Sequence, residues 1–167
     1  MKKWWVFIAL LILITPSALA GNAAPQFKDY PVNEVYTGKN HPLVLDEFGK
    51  SYRTRLREAI RNNKPDFAGH YIVVKWTIGP LVVYNAGAVI DAKTGRAYSF
   101  PVAIGSVYSE KEAEYYQDHR YKLNSRLMVF AGNLAGSEEY TGDNTVAFYE
   151  FKDNKFILIK SVPYKSG

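Results

Sequence analysis

Phe48, Tyr52, Leu56, Ala59 and Ile60 recur at spacings of four, four, three and one, with Lys50, Arg53, Arg57, Glu58 and Arg61 between them. That is the apolar stripe of a helix buried along one side. Asp46 or Ser51 is placed to cap its start, and Asn62-Asn63-Lys64-Pro65 ends it with proline just beyond the last turn. Arg61 and Lys64 sit where the helix dipole favours positive charge. From Tyr71 the period changes. Residues 71–78 are β-branched and aromatic, bounded by Gly69 and by Gly79-Pro80, and predict a strand. Residues 81–84 fit a short strand or a buried loop. Residues 86–90 and 96–100 flank Asp91-Ala92-Lys93-Thr94-Gly95, where an opening Asp and a closing Gly predict a hairpin turn. Residues 126–131 form another strand. Residues 145–151 and 156–161 flank Lys152-Asp153-Asn154-Lys155, a second hairpin whose central pair tolerates positive φ.

Three stretches carry weaker patterns. Residues 21–45 hold Pro25, Pro31, Pro42, Gly21 and Gly38 and read as an extended lead-in, with room for one short strand near 33–37. Residues 105–124 are polar, and Ser109-x-x-Glu112 resembles a capping box for a short helix through Tyr116. Residues 132–144 read as a glycine-containing loop of a length that usually signals function. In the last hairpin, Phe148, Ile157 and Ile159 share one face while Tyr149, Phe151, Phe156 and Leu158 share the other. Such a sheet is covered on both sides, curled into a partial barrel, or offered to a partner. The expected fold is α+β: one N-terminal helix packed on a curved, mainly antiparallel sheet of about six strands.

The opening residues add a compartment. Lys2 and Lys3 precede an uncharged run over residues 4–14, and Ala18-Leu19-Ala20 is a small-x-small cleavage signature before Gly21. This order describes a secretory signal peptide, and the run is too short to span a bilayer. The expectation is a leader over 1–20, cleaved after Ala20, and a single periplasmic domain over 21–167 without a membrane anchor. The chain's net charge of +5 then falls to +3 with the loss of Lys2 and Lys3. The one basic cluster, Arg53, Arg55, Arg57 and Arg61, falls on the outer face of the helix and lacks the interleaved aromatics of a nucleic-acid stripe. No nucleic-acid partner is expected.

Candidate chemistry is sparse. With no cysteine, a disulfide framework, a thiolate zinc site and thiol catalysis are excluded. His41, His70 and His119 are the histidines, and His70, four residues after Asp66 and at the edge of the first long strand, is the best placed. Neither Gly-x-Ser-x-Gly, His-Glu-x-x-His, a calcium loop nor a phosphate-binding loop occurs. The carboxylates Glu110, Glu112, Glu114, Glu138 and Glu139 read as solvated surface. No catalytic, cofactor-binding or metal-binding residue is assigned, and no cofactor is expected. All 13 tyrosines follow residue 20, a composition that suits strands and also recognition surfaces.

Asp66-Phe67-Ala68-Gly69-His70-Tyr71, a strand reaching Trp76, and Gly87-Ala88-Val89-Ile90-Asp91-Ala92-Lys93-Thr94-Gly95 resemble the "FAGHY" and "G-x-VIDAKTG" phrases of a group of small, exported, largely uncharacterised bacterial proteins. Many members carry a cysteine pair after the Trp, where this chain has Ile78 and Val83. The resemblance implies a periplasmic address and no particular reaction, and marks Asp66, His70, Tyr71 and Trp76 as structural or functional positions. The expected function is a non-enzymatic periplasmic binding protein, in its most specific form an immunity-type inhibitor that blocks an envelope-targeting toxin or hydrolase. Tyr108, Tyr115, Tyr116, Asn133, Glu138, Glu139 and Tyr140, on the two long polar segments, are the expected partner-binding residues. The alternatives are a small hydrolase of cell-wall material using His70 with Asp66 or a nearby Ser, and a structural module of the envelope.

Overall fold

Asp46 caps the first helical segment, α1 (Glu47–Ser51), by accepting the Gly49 N–H at 2.8 Å. The structure, a computed structural model, describes residues 23–79, 84–105, 107–109, 114–116, 118–135 and 144–163; for 107–109, 114–116 and 118 this concerns the backbone alone. The expected leader lies outside them. Tyr52 has φ −116° and ψ 20°, which breaks the helix before it resumes as α2 (Arg53–Asn62). The single helix read from the stripe is therefore two segments. The apolar positions run straight through the break, with the Phe48 and Tyr52 rings 5.1 Å apart, so their period could not reveal it. At the far end, the Asn40 amide donates to the carbonyls of Ile60 and Asn63, which a helix terminus leaves open.

The strands are β1 (Tyr71–Ile78), β2 (Tyr84–Asp91), β3 (Ala97–Ser99), β4 (Ala103–Gly105), β5 (Val107–Ser109), β6 (Glu114–Tyr116), β7 (Asp118–Tyr121), β8 (Leu127–Ala135), β9 (Asn144–Lys152) and β10 (Lys155–Pro163). Eight of them form one antiparallel sheet in the order β1-β2-β4-β8-β9-β10, with β3 beside β2 and β7 beside β8. The fold is α+β and dominated by this sheet. The expected six strands become eight because β4 and β7 are too short to show alternation.

β4 pairs on both sides, Asn85↔Ile104 and Ile104↔Leu134, and so joins a wing of β1–β3 to a wing of β7–β10. One apolar cluster draws on both wings: Tyr71, Val89 and Phe100 from the first, Met128, Phe130, Tyr149 and Phe151 from the second, with Ile104 of β4 between them. On the other face of the first wing, Ile72, Trp76, Ala88 and Ile90 lie under Leu56, Ala59 and Ile60 of α2. On the other face of the second, Leu127, Val129 and Phe148 lie under Phe27 and Tyr30 of the lead-in. Both faces are thus covered, which accounts for the doubly apolar β9. In β10 the register shifts between Leu158 and Lys160, making Ile159 a bulge. Phe156 and Leu158 therefore pack inward while Val162 packs on the outer cluster. Ile157 and Ile159 remain exposed.

Two expectations are corrected. The helix expected from Ser109-x-x-Glu112 is replaced by the β5–β6 hairpin, in which Tyr108 pairs with Tyr115; cross-strand pairing of aromatic and β-branched positions outweighs a capping box with no apolar stripe behind it. The loop expected over 132–144 is shorter, since β8 continues to Ala135 and β9 begins at Asn144, with Asn133 paired to Asn144. Its remaining residues, 136–143, lie outside the described ones.

Candidate functional site

The two sequence phrases meet at one end of the sheet. Ala68 and Gly69 both have positive φ, and the chain doubles back so that Phe67 and Tyr71 exchange backbone hydrogen bonds at 3.0 and 2.9 Å. Asp66 closes this turn by accepting the Val73 N–H at 2.8 Å through Oδ1. Beside it, Asp91 accepts from the Lys93 N–H at 2.8 Å and from the Thr94 hydroxyl at 2.7 Å, and Gly95 takes φ 76°. The turn over 91–95 is formed as its Asp and Gly predict. Ala92 N–H donates to the His70 carbonyl, which ties one turn to the other. The lead-in is then strapped across both: Tyr36 N–H to Gly69 O, His41 N–H to Ala92 O, and Val44 N–H to Gly95 O, at 2.8–2.9 Å. The third turn at this end, Asp153-Asn154, has φ of 51° and 62°, and Asn154 Oδ1 accepts the Tyr71 hydroxyl at 2.9 Å.

These contacts decide what the marked residues do. His70 Nε2 lies 3.8 Å from Asp91 Oδ1, so the acid beside His70 is Asp91, whereas Asp66 is turned toward Val73 and Tyr121. The expected His70–Asp66 couple is not formed. The hydroxyl in this group belongs to Thr94 and donates to the carboxylate. A nucleophile must instead lose its proton to the imidazole, so acid-in-the-middle geometry lacks the essential contact. Burial lowers the His70 pKa below its ordinary value, and the Asp91 charge opposes this. Burial raises Asp66, against the lowering effect of the Val73 N–H and the Tyr121 hydroxyl. Burial beside the Asp66 charge pushes Tyr121 up to about 12, and Tyr71 is likewise held protonated by burial. Burial thus biases Asp66, His70, Tyr71 and Tyr121 toward their neutral forms, as befits buttressing.

Trp76 has a different setting. Its ring stacks on Tyr52 at 4.6 Å and, with Phe48, Phe100 and Pro101, lines a cavity of about 170 Å³. Its indole N–H is buried without a hydrogen-bond partner among the described residues. Among the described residues, no three His, Asp or Glu side chains gather as metal ligands would.

The opposite end of the sheet is built differently. Ile78 pairs with Tyr84, Tyr84 with Gly105, Gly105 with Asn133, and Asn133 with Asn144, a single row across five strands. From this row depart the connections over 79–83 and 136–143 and the segment carrying the β5–β6 hairpin. Tyr108, Tyr115 and Tyr116 are therefore on a hairpin beyond the row. Asn133 is half-buried within it, a ladder residue and not the loop residue expected. Glu138, Glu139 and Tyr140 lie outside the described residues, in the connection from Ala135 to Asn144. Sequence reading missed Tyr121, Asn154 and Asn40 as anchors, because their partners are 55, 83 and 20 or more residues away. Comparison with models of known protein families, with curated proteins and with solved structures finds no match.

Proposed function

We propose that this is an exported, non-catalytic binding protein of the cell envelope, and most specifically an immunity-type inhibitor that occupies an envelope-targeting toxin or hydrolase. The observation that supports this reading is the contrast between the two ends of the sheet. One is cross-tied by turns and strap; the other is a single row of strand ends where the connections over 79–83 and 136–143 and the segment carrying β5 and β6 begin. A rigid scaffold presenting neighbouring connections at one end is a common way to build a recognition surface. The hairpin end also carries a charge. Residues 106–118 and 136–143 contain Glu110, Glu112, Glu114, Asp118, Glu138, Glu139 and Asp143 against the single base Lys111. In a chain of net +5 this is a local excess of acid, suited to a basic cleft in the partner and to fast, steered association. Tyr108, Tyr115, Tyr116 and Tyr140 supply aromatic area among those acids.

The test is survival of cells challenged with a periplasmic toxin encoded beside this gene, making the protein with or without residues 1–20. Protection that requires the leader, and that is lost in Glu138→Lys/Glu139→Lys without a change in melting temperature, supports the reading. Equal survival with and without the protein removes it.

A further inference from the structure

Arg53, Arg57 and Arg61 lie at i, i+4 and i+8 on α2, all three exposed. At 1.5 Å of rise per residue they form a row about 12 Å long. None of the three has an ion pair or side-chain hydrogen bond among the described residues, unlike Lys50, which is paired with Glu47 at 2.8 Å, and Arg126, which is paired with Glu150 at 2.9 Å. Like charges four apart on a helix oppose its formation, and Glu58 is the only acid on α2. Nothing in the packing of α2 uses these groups, since burial falls to Leu56, Ala59 and Ile60. The row continues past the helix end with exposed Lys64, and the Asn40 bonds to Ile60 and Asn63 bring exposed Lys39 to the same place.

We infer that this face of α2 is a docking surface for an anionic phospholipid bilayer. Charge complementarity selects an anionic partner. The shape favours a flat one: the cations stand on the outward side of a helix, the hollow lined by Lys50 to Arg55 takes in Arg53 but neither Arg57 nor Arg61, and among the described residues no exposed aromatic ring lies beside them on α2 on which bases stack. No helix among the described residues is long and apolar enough to cross a membrane, so the association is at the surface. It is independent of the hairpin end and would leave that end free for a protein partner.

The experiment is sedimentation of the full chain with vesicles of phosphatidylglycerol and phosphatidylcholine, or of phosphatidylcholine alone, in low and in physiological salt. Residues 1–20 contribute equally to every variant, so the readout is the difference between the native chain and Arg53→Gln/Arg57→Gln/Arg61→Gln. Each basic side chain near an anionic surface contributes roughly fivefold to partitioning, so the triple change should weaken binding to anionic vesicles on the order of a hundredfold. Phosphatidylcholine vesicles should show no difference, and added salt should close the gap. If the triple variant does not fold, Arg57→Gln alone should show about the fivefold loss. Equal partitioning of variant and native chain overturns the inference. So does arginine-dependent binding to soluble polyphosphate without a matching effect on anionic vesicles.

Discussion

Gly95→Ala should unfold the strapped end from a position that touches no candidate binding residue. Gly95 has φ 76°, and a Cβ there would run into the Pro42 carbonyl oxygen, with the Pro42 carbonyl carbon at 2.9 Å and His41 Nδ1 at 3.1 Å. The left-handed backbone costs an alanine roughly 1–2 kcal/mol. The backbone of Pro42 cannot swing aside as a side chain would, so the strap must lift. That strains two bonds on either side of it, His41 N–H to Ala92 O at 2.8 Å and Val44 N–H to Gly95 O at 2.9 Å. At about 1 kcal/mol each, the total loss is about 3–4 kcal/mol. Gly38→Ala is the matched control. Its Cβ would also meet a neighbour at 2.5 Å, but that neighbour is the Tyr36 ring, which can rotate away and sacrifice one hydroxyl bond to Lys39 O. The control should lose no more than about 1 kcal/mol. Urea unfolding followed by near-ultraviolet circular dichroism measures both, with unchanged m-values confirming that the same surface is exposed. Hydrogen exchange at His41 and Val44 should accelerate in Gly95→Ala alone. A Gly95→Ala chain within 1 kcal/mol of the native one, or a Gly38→Ala chain equally damaged, refutes the account of the strap.

Three further outcomes follow from the same contacts. Asp66 has its pKa raised by burial, so whatever its protonated form contributes is complete below about 3.8 and is lost as pH rises through the raised value; at neutral pH Asp66→Asn should therefore match or exceed the native stability in urea, while Asp66→Ala should lose about 1–2 kcal/mol by orphaning the Val73 N–H. His70 is shifted the other way: below its ordinary 6.5 the unfolded chain takes up a proton before the folded one does, and stability falls as pH drops through that region. Melts across pH 5–8 should show a shallower decline for His70→Gln than for the native chain, and parallel curves would contradict the shift. Trp76→Phe removes a buried N–H with no acceptor, so the relief should offset much of the lost ring volume; the variant should stay within about 1.5 kcal/mol of native, well short of the 3–5 kcal/mol typical of emptying such a site.

Local chemistry was readable wherever the partners are close in sequence. Asp46, Asp91, Gly95 and Asp153-Asn154 act within four residues of themselves, and each turn or cap formed as its residue types require. The stripe of α1 and α2 was legible for the same reason, while the break at Tyr52 leaves no mark on the stripe. What stayed hidden depends on distance along the chain. His70 finds Asp91, Asp66 finds Tyr121, and Tyr71 finds Asn154 only after the wings come together, so Asp66 as the acid of His70 was a neighbour by sequence alone. The β5–β6 hairpin had a usable signal, Val107-Tyr108-Ser109 and Glu114-Tyr115-Tyr116 on either side of the polar Glu110-Lys111-Glu112-Ala113, which the capping-box spacing masked.

The bulge at Ile159 has a bearing on how the protein survives at high concentration. β10 is a nine-residue strand at the rim of the sheet, with Ile157 48% and Ile159 38% exposed, and such a rim is a template on which further copies can stack into insoluble fibrils. The register shift kinks the template in its middle, and Lys155 and Lys160 set positive charge on either side of the isoleucines. A straightened rim, made by deleting Ile159, should turn a clear solution cloudy long before it changes the melting point.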